Sequence, residues 1–199
     1  LRETPYWPFA LIALTTGLRR GEILGLTWAD VDLERGLLQV QQVVGECAGE
    51  VFIRPKPKTP AGCRQITLPP VLVEELIRIR RAQAEERLAY GAAYRRDLDL
   101  CLALPGGAPW NPNLLTCSLA WIARKTGLPK NCAPLHSLRH HHATALIATT
   151  PLKVVSARLG HASIKVTADT YQHSSEELDR GAAAAIEALV RPLVTKPER

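Results

Sequence analysis

The sequence contains no methionine, not even at position 1, which leads us to expect part of a longer polypeptide. It has no apolar run of membrane-spanning length and no charged-then-apolar leader, so nothing in it indicates a transmembrane span or a signal peptide. Its five cysteines, Cys47, Cys63, Cys101, Cys117 and Cys132, form no C-x-x-C pair. No disulfide framework is expected, and a reducing, cytoplasmic setting fits better. Internal repeats and long linkers are also missing, so residues 1–199 read as one domain. With 13 Gly and 15 Pro, the chain is far from low-complexity composition.

The most informative absence is of acid. Between Leu100 and Ala168 there is no Asp or Glu, while Arg124, Lys125, Lys130, Arg139, Lys153, Arg158 and Lys165 are all basic. Those seven charges exceed the formal net charge of the whole chain, +6. Five of the six histidines, His136, His140, His141, His142 and His161, lie in the same stretch. A one-sided basic field calls for a polyanionic partner, with nucleic acid ahead of an anionic membrane surface.

Hydrophobic patterning gives a mainly helical fold with a small antiparallel β-sheet. Phe9 to Leu14 and Arg20 to Leu26 have helical spacing and are joined by a bend at Gly17. Short β-branched runs at 37–44, 50–54 and 64–68 are separated by Gly- and Pro-containing turns and predict one small sheet. The loop 55–62 stands out from it. A long helix is expected from Pro70 to Tyr90, followed by helices near 113–126, 136–148, 151–159 and 163–170. A last Ala-rich helix at about 176–191 has an apolar stripe suited to docking on its own core or on a neighbouring protomer.

Several residues could neutralise or attack a phosphate. Arg19 follows a glycine bend at a helix start, where its guanidinium and backbone N–H groups can converge on an anion. His136 and Arg139 are spaced i, i+3 on one helical face. Lys58 sits at a loop tip, His161 follows Gly160 between two short helices, and Tyr171 lies near a helix end. Each alone reads more readily as a surface charge, a cap or a half-buried aromatic. Together they supply what phosphoryl transfer through a covalent protein intermediate needs: cations for the non-bridging oxygens, a general acid and a nucleophilic hydroxyl.

These residues fall in four ordered segments. The run from Thr16 to Trp28 resembles the first arginine motif of the tyrosine recombinases, the phage integrase family. Pro57-Lys58-Thr59 with Arg64 to Pro69 is similar to that family's β-hairpin lysine segment. Leu135 to Thr144 resembles its H-x-x-R box, and Leu159-Gly160-His161 with Asp169-Thr170-Tyr171 its L-G-H and nucleophile segments. The resemblance implies that Arg19, Lys58, His136, Arg139 and His161 surround a scissile phosphate and that Tyr171 attacks it, forming a 3′-phosphotyrosyl link without metal or other cofactor. It further implies double-stranded DNA as partner, a homo-oligomer on DNA assembled as a tetrameric synapse, a nucleoid-associated location, and N-terminal DNA-binding parts outside this chain.

Side-chain chemistry suggests the individual roles. Arg19 and Arg139 suit the non-bridging oxygens, because a planar fork matches them better than an ammonium does. Lys58 suits the acid for the leaving 5′-oxygen, and His136 suits proton removal from Tyr171. His161 is expected to donate a hydrogen bond to the phosphate. Glu22, one turn beyond Arg19, is expected to orient basic side chains, with His140 in a supporting structural place. Two alternatives stand beside recombination: a second enzyme reading, type IB topoisomerase-like relaxation, and a non-enzyme reading, a DNA-binding regulator without chemistry. A zinc site built on Cys132, His136 and His140 is disfavoured, since Pro134 interrupts the helix their spacing would need.

Overall fold

The computed structural model of the chain describes residues 4–55, 60–129, 133–147, 149–171 and 186. The first helix, α1 (Trp7–Thr16), is apolar on nearly every side and buries Phe9, Ala10, Leu11, Ile12 and Ala13. A helix hydrophobic all round belongs in the middle of a core. It packs chiefly against α5 (Pro134–Ile147), with α2 (Arg20–Leu24) and α3 (Pro70–Tyr90) on other sides. α1 ends at Gly17 in the left-handed region, φ 68°, and an added Cβ there would lie 2.6 Å from the His142 ring. Both backbone conformation and space thus require glycine at the bend that delivers Arg19.

Between α2 and α3 lie five short strands: β1 (Val31–Asp32), β2 (Leu37–Val40), β3 (Val43–Cys47), β4 (Glu50–Arg54) and β5 (Arg64–Thr67). They make two sheets, a three-stranded antiparallel one ordered β1-β2-β5 and a separate β3-β4 hairpin. This corrects the single sheet expected from sequence. The run 37–44 breaks at Gln41-Gln42, where Gln42 Nε2 donates to the Gly25 carbonyl at 2.8 Å. The two halves of that run join different partners, and the two-residue β1 is too short to show a periodicity. In the larger sheet Val40 pairs with Arg64 and Leu38 with Ile66.

The helix α3 buries Leu72, Leu76, Ile79 and Gln83 on one stripe. Gln83 accepts from the Trp28 indole at 2.7 Å and donates to the Leu100 and Cys101 carbonyls, so its polar buried end is satisfied. After an irregular stretch, α4 (Pro112–Lys125) starts where the Asn111 side chain accepts from the N–H groups of Asn113 and Leu114. The short α6 (Leu152–Leu159) and α7 (Ile164–Tyr171) complete the described architecture. A continuous core runs through Ile12, Leu18, Ile23, Leu38, Ile66, Leu76, Leu102 and Leu115. The four described cysteines are unpaired. No helix among the described residues is long and apolar enough to cross a membrane. The helix expected at 176–191 lies outside the described residues except for Ile186.

Candidate active site

Two chain reversals face one another. One is the Gly17 bend into α2; the other is the C-terminal turn of α6, which closes at Gly160 in the left-handed conformation, φ 67°. Between them sits Glu22, only 2% exposed. Its Oε1 accepts from Arg19 Nη1 at 2.9 Å and its Oε2 from the Arg19 backbone N–H at 2.9 Å. The Arg64 fork meets both oxygens, at 3.2 and 2.9 Å. Burial would raise the Glu22 pKa, but Arg64 and then Arg19 outweigh it, and the carboxyl stays ionised below the usual carboxylate range.

Arg19 also donates to the Gly160 carbonyl at 3.2 Å, and its side chain stays 46% exposed. The guanidinium is therefore aimed by Glu22 and Gly160 while still open to solvent. Arg139, from α5, approaches the same α6 turn from inside and is only 6% exposed. Its Nη1 donates to the Gly17 carbonyl, and its Nη2 to the Leu159 carbonyl at 2.8 Å. Nη2 also lies 3.0 Å from His161 Nε2. Arg19 and Arg139 thus meet consecutive carbonyls of one turn, with His161 next in the chain.

The tautomer of His161 follows from its partners. Arg139 can only donate, so Nε2 is an acceptor, the ring proton is on Nδ1, and Nδ1 donates to the buried Thr167 hydroxyl at 2.8 Å. Burial, then the Arg139, Arg19 and Arg64 cations, push the His161 pKa down to about 4. This revises the role expected from sequence. In this arrangement His161 is a neutral acceptor toward Arg139, and donation to a phosphate from Nε2 requires a proton taken up there.

Behind the turn, Arg158 donates to His142 Nε2 at 3.2 Å and to the Thr15 and Thr67 carbonyls at 3.0 and 3.1 Å. His142 in turn lies 2.8 Å from the Leu14 carbonyl through Nδ1, which fixes it as another neutral ring with the proton on Nδ1. Arg19 and Arg64 share the Glu22 carboxylate, while Arg139 and Arg158 bond backbone carbonyls and histidines around the Gly17 bend and the α6 turn. The pocket is strongly positive and suits an anion.

The depressed pKa of His161 has a stability consequence. The unfolded chain protonates this histidine near ~6.5 while the folded one resists until about 4. The unfolded state therefore binds more protons in that window, and stability is full above pH ~6.5 and falls as pH is lowered toward 4. Burial likewise lowers His142 and His140, which act in the same direction. We expect the melting temperature to decline from pH 6.5 to 4, with a shallower decline in His161→Gln. An identical slope in the variant would show that His161 is not the titrating group.

The sequence-predicted residues do not all converge. Arg19, Glu22, Arg139 and His161 come together as described. His136 and Arg139, expected on one face, diverge: Arg139 turns into the core, whereas His136 is exposed and meets His140, Nε2 to Nε2 at 2.8 Å. The two rings stack edge to face, 4.4 Å between centroids. An i, i+3 pair is separated by about 60° around a helix, enough to put one member inside and the other out. His140 thus supports His136 rather than the arginine pocket. The backbone of Tyr171 ends α7, while Lys58 lies outside the described residues. No group of three His, Cys, Asp or Glu placed to hold a metal occurs among the described residues, and Cys132 is outside them.

Sequence reasoning missed Arg64, Arg158, His142 and Thr167. A signal existed for Arg64, since Arg64, Ile66 and Leu68 share the inward face of an alternating strand and a cation there needs a buried anion. For the others nothing in local spacing distinguishes them from surface residues.

Fold and site together define a mainly helical domain with guanidiniums clustered about the turn that ends α6. A family model described as the phage integrase family matches residues 4–177, and the chain belongs to that family, the tyrosine recombinases. A tyrosine recombinase XerC-like protein of Caldanaerobacter subterraneus subsp. tengcongensis is 34% identical over 174 residues, covering 82% of this chain and 44% of that protein. The ICEBs1 integrase of Bacillus subtilis is 29% identical, with 83% and 44% covered. The chain therefore spans about half the length of the curated relatives it matches. Among solved structures, the Tn1549 transposon integrase in complex with transposon right end DNA superposes with a TM-score of 0.76 at 24% identity, covering 92% of this chain and 58% of that one. The XerA recombinase gives 0.65 at 21%, with 92% and 58% covered.

Proposed function

We propose that the chain cuts and rejoins double-stranded DNA in site-specific recombination or integration, through a 3′-phosphotyrosyl intermediate. The observation that carries this reading is the convergence of Arg19 and Arg139 on one turn beside His161, in a chain whose relatives are named integrases and recombinases.

The phosphate enters where Arg19 faces solvent. An oxygen seated between Arg139 and His161 replaces the Nε2 acceptor, and its charge draws a proton from solvent onto the released Nε2, which then donates to it. The Tyr171 hydroxyl attacks phosphorus, and the bond from phosphorus to the 5′-oxygen breaks. His136, its Nε2 held by His140, receives the tyrosine proton, and Lys58 supplies one to the departing 5′-oxygen. The reverse step, with a 5′-hydroxyl from a partner strand as nucleophile, rejoins the DNA and frees the tyrosine. The phosphodiester energy stays in the covalent link, so the reaction requires neither metal nor nucleotide. Exchange between duplexes calls for a homo-oligomer on DNA, a tetrameric synapse, in a cytoplasmic, nucleoid-associated setting.

The test is a nicked suicide duplex selected from a pool with randomised arms. The wild-type chain should give a covalent adduct that migrates slowly in denaturing gels, and Tyr171→Phe should give none. An equal adduct from Tyr171→Phe would remove the nucleophile assignment. Plasmid relaxation without exchange between two duplexes would replace recombination by relaxation.

A further inference from the structure

We propose that Arg64 is a positioning residue for strand cleavage, holding the Arg19 guanidinium and the base of the Lys58 segment in one frame; this rests on the function proposed above. Its side chain is only 7% exposed, and all three guanidinium nitrogens are engaged. Nη1 and Nη2 grip the two oxygens of Glu22, Nε donates to the Arg158 carbonyl at 2.7 Å, and Nη1 donates also to the Gly62 carbonyl at 3.0 Å. One planar group thereby joins α2, the last turn of α6, and the turn Pro60–Gly62 that follows directly on residues 56–59.

The two anchors of Arg19 both touch Arg64. The first is Glu22: each of its oxygens receives one bond from Arg19 and one from Arg64, so the plane of the Arg64 fork sets the plane of the carboxylate that aims Arg19. The second is Gly160, where an added Cβ would lie 2.6 Å from Arg64 Nη1 and 3.0 Å from the Ala61 carbonyl oxygen. The absent side chain of that glycine is what lets Arg64 and the loop base close over the α6 turn. Arg19, half exposed, has no comparable packing to fix it. A lysine in place of Arg64 would bring charge but one point of contact, and could not span a carboxylate and two carbonyls.

A buried ion pair is not needed for stability as such, since apolar residues of similar volume commonly serve as well. What the Arg64–Glu22 pair supplies that an apolar pair cannot is direction for a third group, Arg19. The same clamp fixes the Pro60–Gly62 turn against the α6 turn that Arg19 and Arg139 address.

The experiment compares the wild-type chain, Arg64→Lys, Glu22→Asp and the double variant on the selected suicide duplex, measuring single-turnover adduct rate, adduct amplitude and affinity for an uncleavable duplex. Arg64→Lys should slow the rate about a hundredfold, with affinity changed less than about threefold. Glu22→Asp, which keeps the charge but withdraws the carboxylate, should show a similar loss and keeps the test valid if Arg64→Lys does not fold. The double variant should be little slower than either single one, because both act through one fork. A loss confined to amplitude, equal losses of rate and affinity, or multiplying losses in the double variant would each overturn the proposal. Absence of any wild-type adduct would sink the functional reading and this proposal with it. A wild-type adduct with an unchanged Arg64→Lys rate would sink the proposal alone.

Discussion

Arg139→Ala is expected to slow covalent adduct formation about a thousandfold and to lower stability by about 3 kcal/mol, roughly 6 to 12 °C in Tm for a domain of this size. Both effects have one origin. Arg139 is buried and donates to the Gly17 and Leu159 carbonyls and toward His161 Nε2. Its removal leaves three acceptors without that donor and opens a cavity where α1, α5 and α6 meet. The chemical loss is larger, because a preorganised cation beside the reacting phosphate acts mainly on charge that grows in the transition state. Thermal melting and single-turnover cleavage check the two halves. A variant that cleaves slowly only in proportion to weaker DNA binding would make Arg139 an anchor for ground-state phosphate instead.

The second large effect concerns Glu22. Glu22→Leu should destabilise the chain by about 3 to 5 kcal/mol, since it strips the partner from the buried Arg64 and leaves an uncompensated charge. The double variant Glu22→Leu/Arg64→Met should recover most of that stability, because it removes both charges and fills the space with apolar atoms. It should not recover cleavage, since among the described residues the Arg19 side chain then keeps one hydrogen-bond partner, the Gly160 carbonyl. Denaturant unfolding of the three proteins, beside their adduct rates, separates the two roles of the carboxylate. A double variant as unstable as Glu22→Leu would show that the pair contributes through its charges after all. The stability contribution of Glu22 should be present above the usual carboxylate pKa and fade as pH falls below it, because its folded pKa is the lower one.

The pieces of the site were legible to different degrees. Arg19 was legible because a glycine bend and a helix start leave a local signature, and the structure has both, with Gly17 at φ 68°. Glu22 was legible because it lies one turn from Arg19. His136 and Arg139 were correctly placed on one helix, α5, but their spacing did not reveal that one turns inward and the other meets solvent. That choice depends on the turn that ends α1, where the Gly17 carbonyl accepts from Arg139 Nη1. The single sheet expected from sequence became two for a related reason: the break at Gln41-Gln42 is stabilised by Gly25, a residue of a different element.

By itself the sequence determined the order of helices, the ordered motifs that mark the phage integrase family, and the acid-free stretch that concentrates positive charge. These are local or one-dimensional properties, set by periodicity, turn chemistry and composition. Only the tertiary structure decided that Arg64 belongs to the pocket and that His161 is a neutral acceptor. Each rests on partners distant in the chain: Glu22 is 42 residues from Arg64, and Arg139 is 22 from His161. A buried charge takes its direction and its protonation from whatever packing places against it, and no pattern within a single segment encodes that.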